Sequence, residues 1–362
     1  MRLAVLVYEK PTPSETFINN HIRFLPFEVT VIYGGWIPFQ CDEYVINKQM
    51  VRFLRFLDFV NRRSGDSYKK YYLKKWLRRK KIETVLAEYL NLASNVMDTC
   101  KELNVPLVTT ALGYEISNYS VLQKYENGYR NLFKHCKKVV IVSNHMRENL
   151  RRFDCPEDKI IYSPAGPDET FFEVEPSYNT LNVLAIGRFV EKKAPYLTIL
   201  AFQKVLRKVP KARLIMAGDG DYLPMCKDLV DSLKMSENVF FLGIINQAKQ
   251  KELLADSSVF VQHSKVATSG DSEGTPVAIL DAMAAGLPVV STRHAGIPEV
   301  VEEEISGFLV KEGDIDDMAD KIIILLKDKS LIKEMGRNGR ANVKKNFSLN
   351  NHLGNLNKAL TS

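Results

Sequence analysis

Two carboxylates stand eight residues apart in an otherwise apolar stretch, EGTPVAILDAMAAGLPVVS, which spans residues 273–291. Glu273 precedes a Gly-Thr-Pro turn, and Asp281 falls among apolar residues in a helical pattern, where Asp is a poor helix former. A carboxylate in such surroundings needs a partner, because charged groups are rarely buried alone. Adjacent hydroxyl groups of a sugar are suitable partners, since both can donate to one carboxylate. The alternative is that Asp281 only faces solvent.

The residues around these acids predict a short helix with an anion site at its N-terminus. Pro276 fits the first helical turn, where its missing N–H costs nothing, and Gly286 ends the helix before the next strand. The backbone N–H groups of Gly274, Thr275 and Val277 are then expected at the start of the helix. Such groups, together with the helix dipole, favour a bound anion.

A second candidate site follows the strand-like run LNVLAIG, residues 181–187. Arg188 and Lys193 come directly after it, five residues apart across a turn. A guanidinium and an ammonium group suit a diphosphate, although exposed pairs of this kind are common. Gly218, in the AGDGD turn of residues 217–221, would let a nucleotide approach the backbone. An ordinary turn is the alternative for that glycine.

A third candidate site lies near the N-terminus, where SETF follows the first strand-like run. Ser14 is a suitable N-cap, and Glu15 and Thr16 would open the first helix. The GxGxxG fingerprint of dinucleotide-binding proteins is absent here. The chain also lacks the GxSxG elbow of hydrolases and the Walker lysine loop, so none of these three classes is expected.

The elements that carry these residues alternate between strand and helix, which predicts α/β architecture with parallel sheets covered on both faces. We expect two Rossmann-like domains, at residues 1–165 and 180–345. The stretch 163–180, rich in Pro, acids and turn formers, is predicted to link them. A C-terminal helix, residues 346–362, is expected to pack back on the first domain. In such sheets the ligand site lies outside the carboxyl ends of the strands. The expected strands are 3–8, 29–33, 105–110, 138–143, 181–187, 212–218, 239–243, 258–263 and 287–292; the expected helices of the second domain include 194–209, 221–234, 247–255 and 276–285.

Composition agrees with a globular protein of this size. The chain has 362 residues, 45% of them hydrophobic and 26% charged, and no apolar run approaches the ~20 residues that cross a bilayer. The first residues, MRLAVLVYEK, are expected to form a buried strand rather than a signal peptide. The five cysteines are scattered and odd in number, which favours reduced thiols and a cytoplasmic location. The six histidines show no metal-ligand spacing.

The formal net charge of +7 is concentrated in KKYYLKKWLRRKK, residues 69–81, which holds eight Lys or Arg and no acid. Tyr68, Tyr72 and Trp76 recur at four-residue spacing and would form one stripe on a helix. The segment is either a solvated basic helix or an interfacial helix on anionic lipid, with the aromatic rings at the membrane boundary. The second interpretation makes the protein peripheral at the inner face of the membrane. No nucleic-acid module surrounds the patch, so nucleic acid is not an expected partner.

Taken together, these stretches resemble the retaining glycosyltransferases of family 4, which have the two-domain GT-B fold. GRFVEKK, AGDG, FLG, HAGIPEVV and SGFLV occur in the family's order, so the resemblance covers nearly all of the second domain. In the first domain, PSETFINNHI is similar to the subgroup that builds bacterial exopolysaccharides of the colanic-acid type. The residues that match the family's E-x7-E signature and its continuation are Glu273, Pro276, Asp281, Ala282, Met283, Ala284, Gly286, Pro288 and Val289.

The resemblance implies a role for each candidate. Arg188 and Lys193 would neutralise the diphosphate leaving group, Glu273 would contact the transferred sugar, and Asp281 would hold the ribose hydroxyls. Residues 243–246 would border the base. The implied catalytic residues are Glu273, Arg188 and Lys193; the implied donor-binding residues are Arg188, Lys193, Gly218, Gly243, Ile245, Glu273, Gly274, Thr275, Pro276, Val277 and Asp281; and the implied first-domain residues are Glu15, Thr16 and Gly113.

Two departures from the family pattern stand out. The second acid of the signature is Asp281 instead of the usual Glu, and Leu112 precedes Gly113 where the family often has a histidine. The resemblance implies a retaining hexosyltransferase that uses a UDP-sugar and a glycan or lipid-linked glycan acceptor in surface polysaccharide synthesis. One alternative is a non-catalytic nucleotide-sugar-binding protein. The other is a GT-B epimerase or phosphorylase, and the family match over residues 273–286 disfavours this second alternative. No metal or other cofactor is expected, because no DxD-like pair is placed for one.

Overall fold

The computed structural model describes residues 1–11, 16–44, 46–61 and 65–362. It divides into two compact units. The first contains residues 1–142, 146–163 and 353–362, and the second contains residues 143–145 and 164–352. Within the described residues, each unit is built on a six-stranded sheet whose neighbouring strands are all parallel. The predicted α/β class is confirmed.

The first unit alternates strands and helices. Its strands are β1 (Arg2–Leu6), β2 (Glu28–Ile32), β3 (Thr84–Ala87), β4 (Leu107–Ala111), β5 (Lys138–Ile141) and β6 (Ile160–Tyr162). Its helices are α1 (Thr16–Phe24), α2 (Lys48–Val60), α3 (Ser67–Arg79), α4 (Leu90–Glu102), α5 (Tyr114–Ser117), α6 (Tyr119–His135) and α7 (Met146–Arg151), and the last helix of the chain, α15 (Leu349–Thr361), contributes its residues from 353 onward.

The first sheet has the strand order β2-β1-β3-β4-β5-β6 and a core on each face. One core contains residues of α3, α4 and α6. On the other face, Leu356 and Leu360 of α15 share a buried cluster with Leu3 and Val5 of β1. Strands buried on both faces explain why the strand segments read as continuous apolar runs instead of alternating ones.

The second unit repeats the architecture. Its strands are β7 (Asn182–Ile186), β8 (Arg213–Ala217), β9 (Val239–Phe241), β10 (Val259–Gln262), β11 (Val289–Thr292) and β12 (Gly307–Val310). Its helices are α8 (Pro195–Lys208), α9 (Leu223–Ser232), α10 (Gln247–Ala255), α11 (Val277–Ala284), α12 (Ile297–Val300), α13 (Ile315–Lys327) and α14 (Lys329–Asn346). The sheet order is β12-β11-β10-β7-β8-β9, the arrangement of a doubly wound Rossmann sheet.

Helix α3 corrects one interpretation of the sequence. Tyr68, Tyr72 and Trp76 are buried, with 6%, 1% and 1% exposure, and the Trp76 indole N–H donates to the carbonyl of Phe39 at 2.8 Å. The expectation that these rings lie at a membrane boundary is therefore wrong. They hold α3 against the first sheet, while the basic side chains occupy the outer side of the helix.

Two further observations bear on the bulk properties of the chain. All five cysteines are free and buried, and burial raises the pKa of Cys100 to about 12, so this thiol is unreactive at neutral pH. Among the described helices, none combines the length and the apolar character that a bilayer crossing requires.

Candidate functional site

The second sheet has a topological switch point between β7 and β10, where the strand order reverses. Open parallel sheets bind ligands beyond the carboxyl ends of the strands at such a point. Arg188 and Lys193 follow β7, and Gln262 is the last residue of β10. A narrow cavity of about 30 Å³ opens there, and these three side chains contribute to its lining. The switch point thus carries two cations, as the sequence predicted.

Lys193 and Glu273 form a buried ion pair at this position. Lys193 lies in a single 3-10 turn, Glu191–Lys193, and its Nζ is 3.3 Å from Glu273 Oε2 and 3.2 Å from Gln262 Oε1. Burial lowers the pKa of Lys193, and Glu273 opposes that shift. Arg188 is exposed and has no ion-pair partner among the residues that the structure describes. The sequence placed both cations near the site but did not predict the ion pair.

Glu273 keeps one oxygen free of protein partners. Its side chain is buried, and no described residue donates a hydrogen bond to Oε1. Burial by itself would raise the pKa of Glu273, but Lys193 and Lys192 outweigh it and hold the pKa below its usual value. The group is therefore an ionised carboxylate with one unused acceptor oxygen, which a ligand hydroxyl could fill.

His294 fixes the backbone of this loop. The N–H of Glu273 donates to His294 Nε2 at 3.1 Å, so the proton of the ring must sit on Nδ1, which lies 2.6 Å from Glu312 Oε1. Burial is the main cause of a lowered pKa at His294, although Glu312 opposes it. A neutral imidazole that accepts at one nitrogen and donates at the other thus positions Glu273 through its main chain.

Lys192 also contacts the loop that carries Glu273. Its Nζ is 3.0 Å from Asp271 Oδ1 and donates to the Ser272 carbonyl at 3.3 Å. The next residues, Lys193 and then Ala194 with a left-handed φ of 38°, lead directly into α8. A non-glycine residue in that region is strained, and such strain is common at functional sites. Sequence reasoning missed Lys192 and His294, although both belong to motifs that match the family.

Asp281 lies inside α11 and is buried, with 7% exposure. The interpretation that it faces solvent is wrong. Its Oδ2 accepts a hydrogen bond from Gln250 Nε2 at 2.9 Å, a partner that the sequence did not indicate. Burial raises the pKa of Asp281 to about 7, and the nearby carboxylate of Asp168 adds to the rise. Asp281 is therefore protonated more readily than an exposed aspartate.

The start of α11 differs by one residue from the prediction, which placed Pro276 in the first helical turn. Gly274, Thr275 and Pro276 are buried, Pro276 occupies the N-cap position, and Val277 begins the helix. The Gly274 carbonyl accepts from the Gly296 N–H at 3.1 Å, which ties this loop to the segment that carries His294. At the other end, Gly286 has a φ of 84°, which suits a glycine that ends a helix.

The glycine-rich turn after β8 serves packing. Gly218 has a φ of 133°, and a Cβ there would lie 2.0 Å from the Gly187 carbonyl oxygen. Its N–H donates to the Gly243 carbonyl at 2.7 Å, which joins the turns after β8 and β9. Ile245 is half-buried and packs against the core, whereas Ile244 is 81% exposed. Gly218 is thus required by the neighbouring turn, whether or not a nucleotide approaches it.

The first unit has its own switch point, between β1 and β3. A cavity of about 460 Å³ lies at the carboxyl ends of these strands. Tyr8 and Trp36 form a tilted ring pair with centroids 4.5 Å apart, and both are about 40% exposed. Its lining includes Tyr8, Trp36, Tyr89, Asn91, Tyr114 and Glu115. The sequence did not single out these aromatic residues.

The predicted first-domain residues have mixed outcomes. Gly113 has a φ of 141° and caps α5, and Leu112 packs its side chain against the core while its N–H donates to Glu115 Oε1 at 2.7 Å. Ser14 and Glu15 lie outside the described residues, as does the side chain of Thr16. Within the described part of the chain, no group of three or more His, Cys, Asp or Glu could hold a metal ion.

Two family models match the chain. One, described as glycosyl transferases group 1, matches residues 168–342, and the other, described as Glycosyltransferase Family 4, matches residues 20–171. Together they reach from the first helix into α14.

Two curated relatives have names from polysaccharide synthesis. WcaL of Escherichia coli (strain K12), a candidate colanic acid biosynthesis glycosyltransferase, is 31% identical over 261 residues, which cover 70% of this chain. The amylovoran biosynthesis glycosyltransferase AmsK of Erwinia amylovora is 29% identical over 268 residues, which cover 73% of this chain. The matches span 64% and 65% of the lengths of these two relatives.

Solved structures share the fold. HepE of Anabaena, in a complex with UDP and glucose, has a TM-score of 0.78 at 17% identity and covers 100% of this chain and 99% of its own. TarM of S. aureus, as a mutant in complex with Fondaparinux, alpha-GlcNAc-glycerol and UDP, has a TM-score of 0.67 at 19% identity, over 81% of this chain and 59% of its own. The predicted GT-B fold is confirmed by these likenesses.

Proposed function

We propose that this chain, which belongs to the glycosyltransferases of family 4, transfers a hexose from a nucleoside diphosphate sugar to a glycan or lipid-linked glycan acceptor. The names of the relatives from colanic acid and amylovoran synthesis favour a surface polysaccharide as the product. The UDP complexes of structural neighbours favour UDP as the nucleotide. In this proposal the second unit binds the donor and the first unit binds the acceptor.

The buried pair of Lys193 and Glu273 is the observation that carries the proposal. As the bond between the sugar and the diphosphate breaks, negative charge grows on the leaving oxygen. Lys193, held at the switch point, and Arg188, exposed beside it, neutralise that charge. The N-terminus of α11 adds its dipole. Positive groups fixed in advance stabilise such charge without reorganisation during the reaction.

Glu273 serves the sugar end of the donor. Its unused Oε1 accepts a hydrogen bond from a sugar hydroxyl, while Lys193 keeps the other oxygen in place. Because Glu273 is already engaged by a cation, we do not assign it as a nucleophile. We propose that the acceptor hydroxyl attacks from the face that the diphosphate leaves, so that the anomeric configuration is retained. Asp281 and Gln250 hold the ribose hydroxyls.

The aromatic cavity of the first unit is proposed to bind the acceptor. Exposed rings such as Tyr8 and Trp36 suit the apolar face of a sugar, and Glu115 and Asn91 offer polar groups at the same cavity. The first strand and helix of this unit, with Gly113, would border the acceptor. We further propose a cytoplasmic location with peripheral attachment to the inner face of the membrane, where a lipid-linked acceptor would lie.

One alternative has specific support. Leu112 stands where the family often has a histidine, and Asp281 replaces a longer acid and has a pKa raised by burial. These features favour a nucleotide-sugar-binding protein that has lost catalysis.

The test measures nucleoside diphosphate released from UDP- and GDP-sugars, with and without an oligosaccharide acceptor, beside the Tm shift that each donor causes. We expect the release of nucleoside diphosphate to depend on the acceptor. NMR of the product gives its anomeric configuration, which we expect to be retained. A Tm shift without release, for every donor and acceptor tried, would support the non-catalytic protein.

A further inference from the structure

Helix α2 presents large apolar side chains to solvent. Phe53, Phe56 and Phe59 are 55%, 61% and 82% exposed, and Val60 is 58% exposed. At 100° per residue these four lie within an arc of about 120° on one side of the helix. We call them the α2 face. Single exposed apolar residues are ordinary on protein surfaces, but a contiguous group of this size marks an interaction site.

The opposite side of α2 packs against the core of the first unit and against α3. The α2 face is therefore the outer side of a helix that is already anchored. Val51 packs against the core of the first unit. Asp58, the one acid of the helix, is buried and accepts hydrogen bonds from the N–H and the hydroxyl of Ser67, which opens α3. Arg55 donates to the Tyr68 hydroxyl at 3.2 Å. These contacts fix the rotation of α2 and direct the three phenylalanines outward.

Positive charge surrounds the α2 face. Residues 48–81 contain thirteen Lys or Arg and two Asp, a net charge of +11 in a chain whose total is +7. Asp58 is buried, and Asp66 pairs with Lys69 at 2.8 Å. From outside this range, Glu43 pairs with Lys80 and Glu102 pairs with Lys74, which still leaves a large excess of positive charge. Lys48 and Arg52 lie on the same side of α2 as the apolar group, and both are exposed.

We propose that the α2 face inserts into an anionic lipid surface, with the basic residues of α2 and α3 against the headgroups. Aromatic and aliphatic side chains on one side of a helix, flanked by Lys and Arg, suit the boundary between acyl chains and headgroups. The excess of positive charge complements anionic lipid and disfavours pairing with a second copy of the same surface. A nucleic acid would use the cations but leave the phenylalanines unburied.

This surface differs from the one that the sequence indicated. The aromatic stripe of α3 is buried, and the apolar contact comes from α2 instead, while α3 supplies exposed cations such as Lys70, Lys75 and Arg78. The inference does not depend on the transfer reaction. A chain that lacks transferase activity would still bind lipid through this surface.

The test uses flotation of the full chain with phosphatidylcholine vesicles, with or without about one third phosphatidylglycerol, at low and high salt. We expect binding only to the anionic vesicles, weakened by salt. The variant Phe53→Ser/Phe56→Ser/Phe59→Ser should lose ~tenfold or more of that binding. A charge variant, Lys48→Glu/Arg52→Glu/Lys70→Glu, should lose at least as much. These positions are exposed, so Tm should change little.

A matched control, Met225→Ser/Ile305→Ser/Ile324→Ser, removes three exposed apolar side chains from the second unit and should bind as the wild type does. Donor turnover with a soluble acceptor should be equal in all variants, which separates this proposal from the proposed function. Anionic-vesicle binding that the phenylalanine variant retains would overturn the proposal. The proposal would also be overturned if the wild type did not bind vesicles but formed a dimer, and the phenylalanine variant were monomeric.

Discussion

At the scale of single residues, the two acids of the 273–291 stretch have opposite environments. Glu273 is buried beside Lys193 and Lys192, which keep it ionised, whereas Asp281 is buried beside the neutral amide of Gln250. An ionised group with a free oxygen suits a sugar that gains positive charge as its bond breaks.

The two acids should therefore differ in kinetic signature. Above pH 7, where Asp281 is ionised, Asp281→Asn should weaken UDP affinity by about ten- to a hundredfold, since a hydrogen bond to a charged group is worth ~1.5–3 kcal/mol and ribose contacts are equal in ground and transition states. Glu273→Gln should lower turnover and leave UDP affinity nearly unchanged. Asp281→Glu should be tolerated. Calorimetry with UDP and GDP on the three variants checks this; equal affinity of Asp281→Asn and wild type for both nucleotides would exclude the ribose role.

The raised pKa of Asp281 gives a second prediction. Burial lifts it from 3.8 to about 7, so in the ligand-free protein its contribution to stability is complete below pH 3.8 and is lost as the pH rises toward 7. Asp281→Asn should remove this loss and stabilise the protein above pH 7 by up to about 4 kcal/mol, at 1.36 kcal/mol per pKa unit. Chemical denaturation across this pH range measures it. A wild type and a variant with parallel profiles would contradict the assignment.

At the scale of elements, α3 illustrates why periodicity alone does not reveal which side of a helix is buried. The four-residue aromatic spacing predicted a stripe, and the stripe exists, but it packs on the sheet: Tyr44 stacks on Trp76 at 4.7 Å, and Trp76 also contacts Tyr72. Basic side chains lie across these rings, with Arg79 over Tyr44 and Lys75 over Trp76. Long cationic side chains can cover apolar surface while their charges stay in water.

Trp76→Ala should consequently destabilise the protein by about 3–5 kcal/mol, the range for a large aromatic removed from a core. Tyr71→Ala, on the exposed side of the same helix, should cost less than about 1 kcal/mol. Urea titration monitored by circular dichroism compares the two variants. Similar small losses for both would mean that Trp76 is not a core residue.

The sequence pattern predicted most strands of the two sheets but not all of them. Helix α10 was predicted with its observed bounds, 247–255, and the longer strands were predicted within a few residues. The strands β3, β6 and β12 were not predicted, whereas β5 and β9, which are equally short, were. Short segments of this kind become strands by pairing with neighbours in the sheet, which local sequence does not specify.

At the scale of the whole molecule, the candidate site could be predicted as far as it is contiguous in sequence. Arg188 and Lys193 were identified because they follow a strand directly. The hydrogen bond of Gln250 to Asp281 spans 31 residues, and that of Glu273 to His294 spans 21. Such partners depend on how separate helices and loops pack around the sheet, so the sequence pattern could not indicate them.

In the proposed reaction, cations at the switch point of the second sheet stabilise the departing nucleoside diphosphate. The measurement is the rate of UDP release, with acceptor present, for the wild type, Arg188→Ala, Lys193→Ala and Lys227→Ala, the last an exposed cation of α9 in the same unit. We predict a loss of ~100-fold or more in the first two variants, with unchanged circular dichroism, and wild-type rates in the third. Wild-type turnover in both Arg188→Ala and Lys193→Ala would contradict the claim.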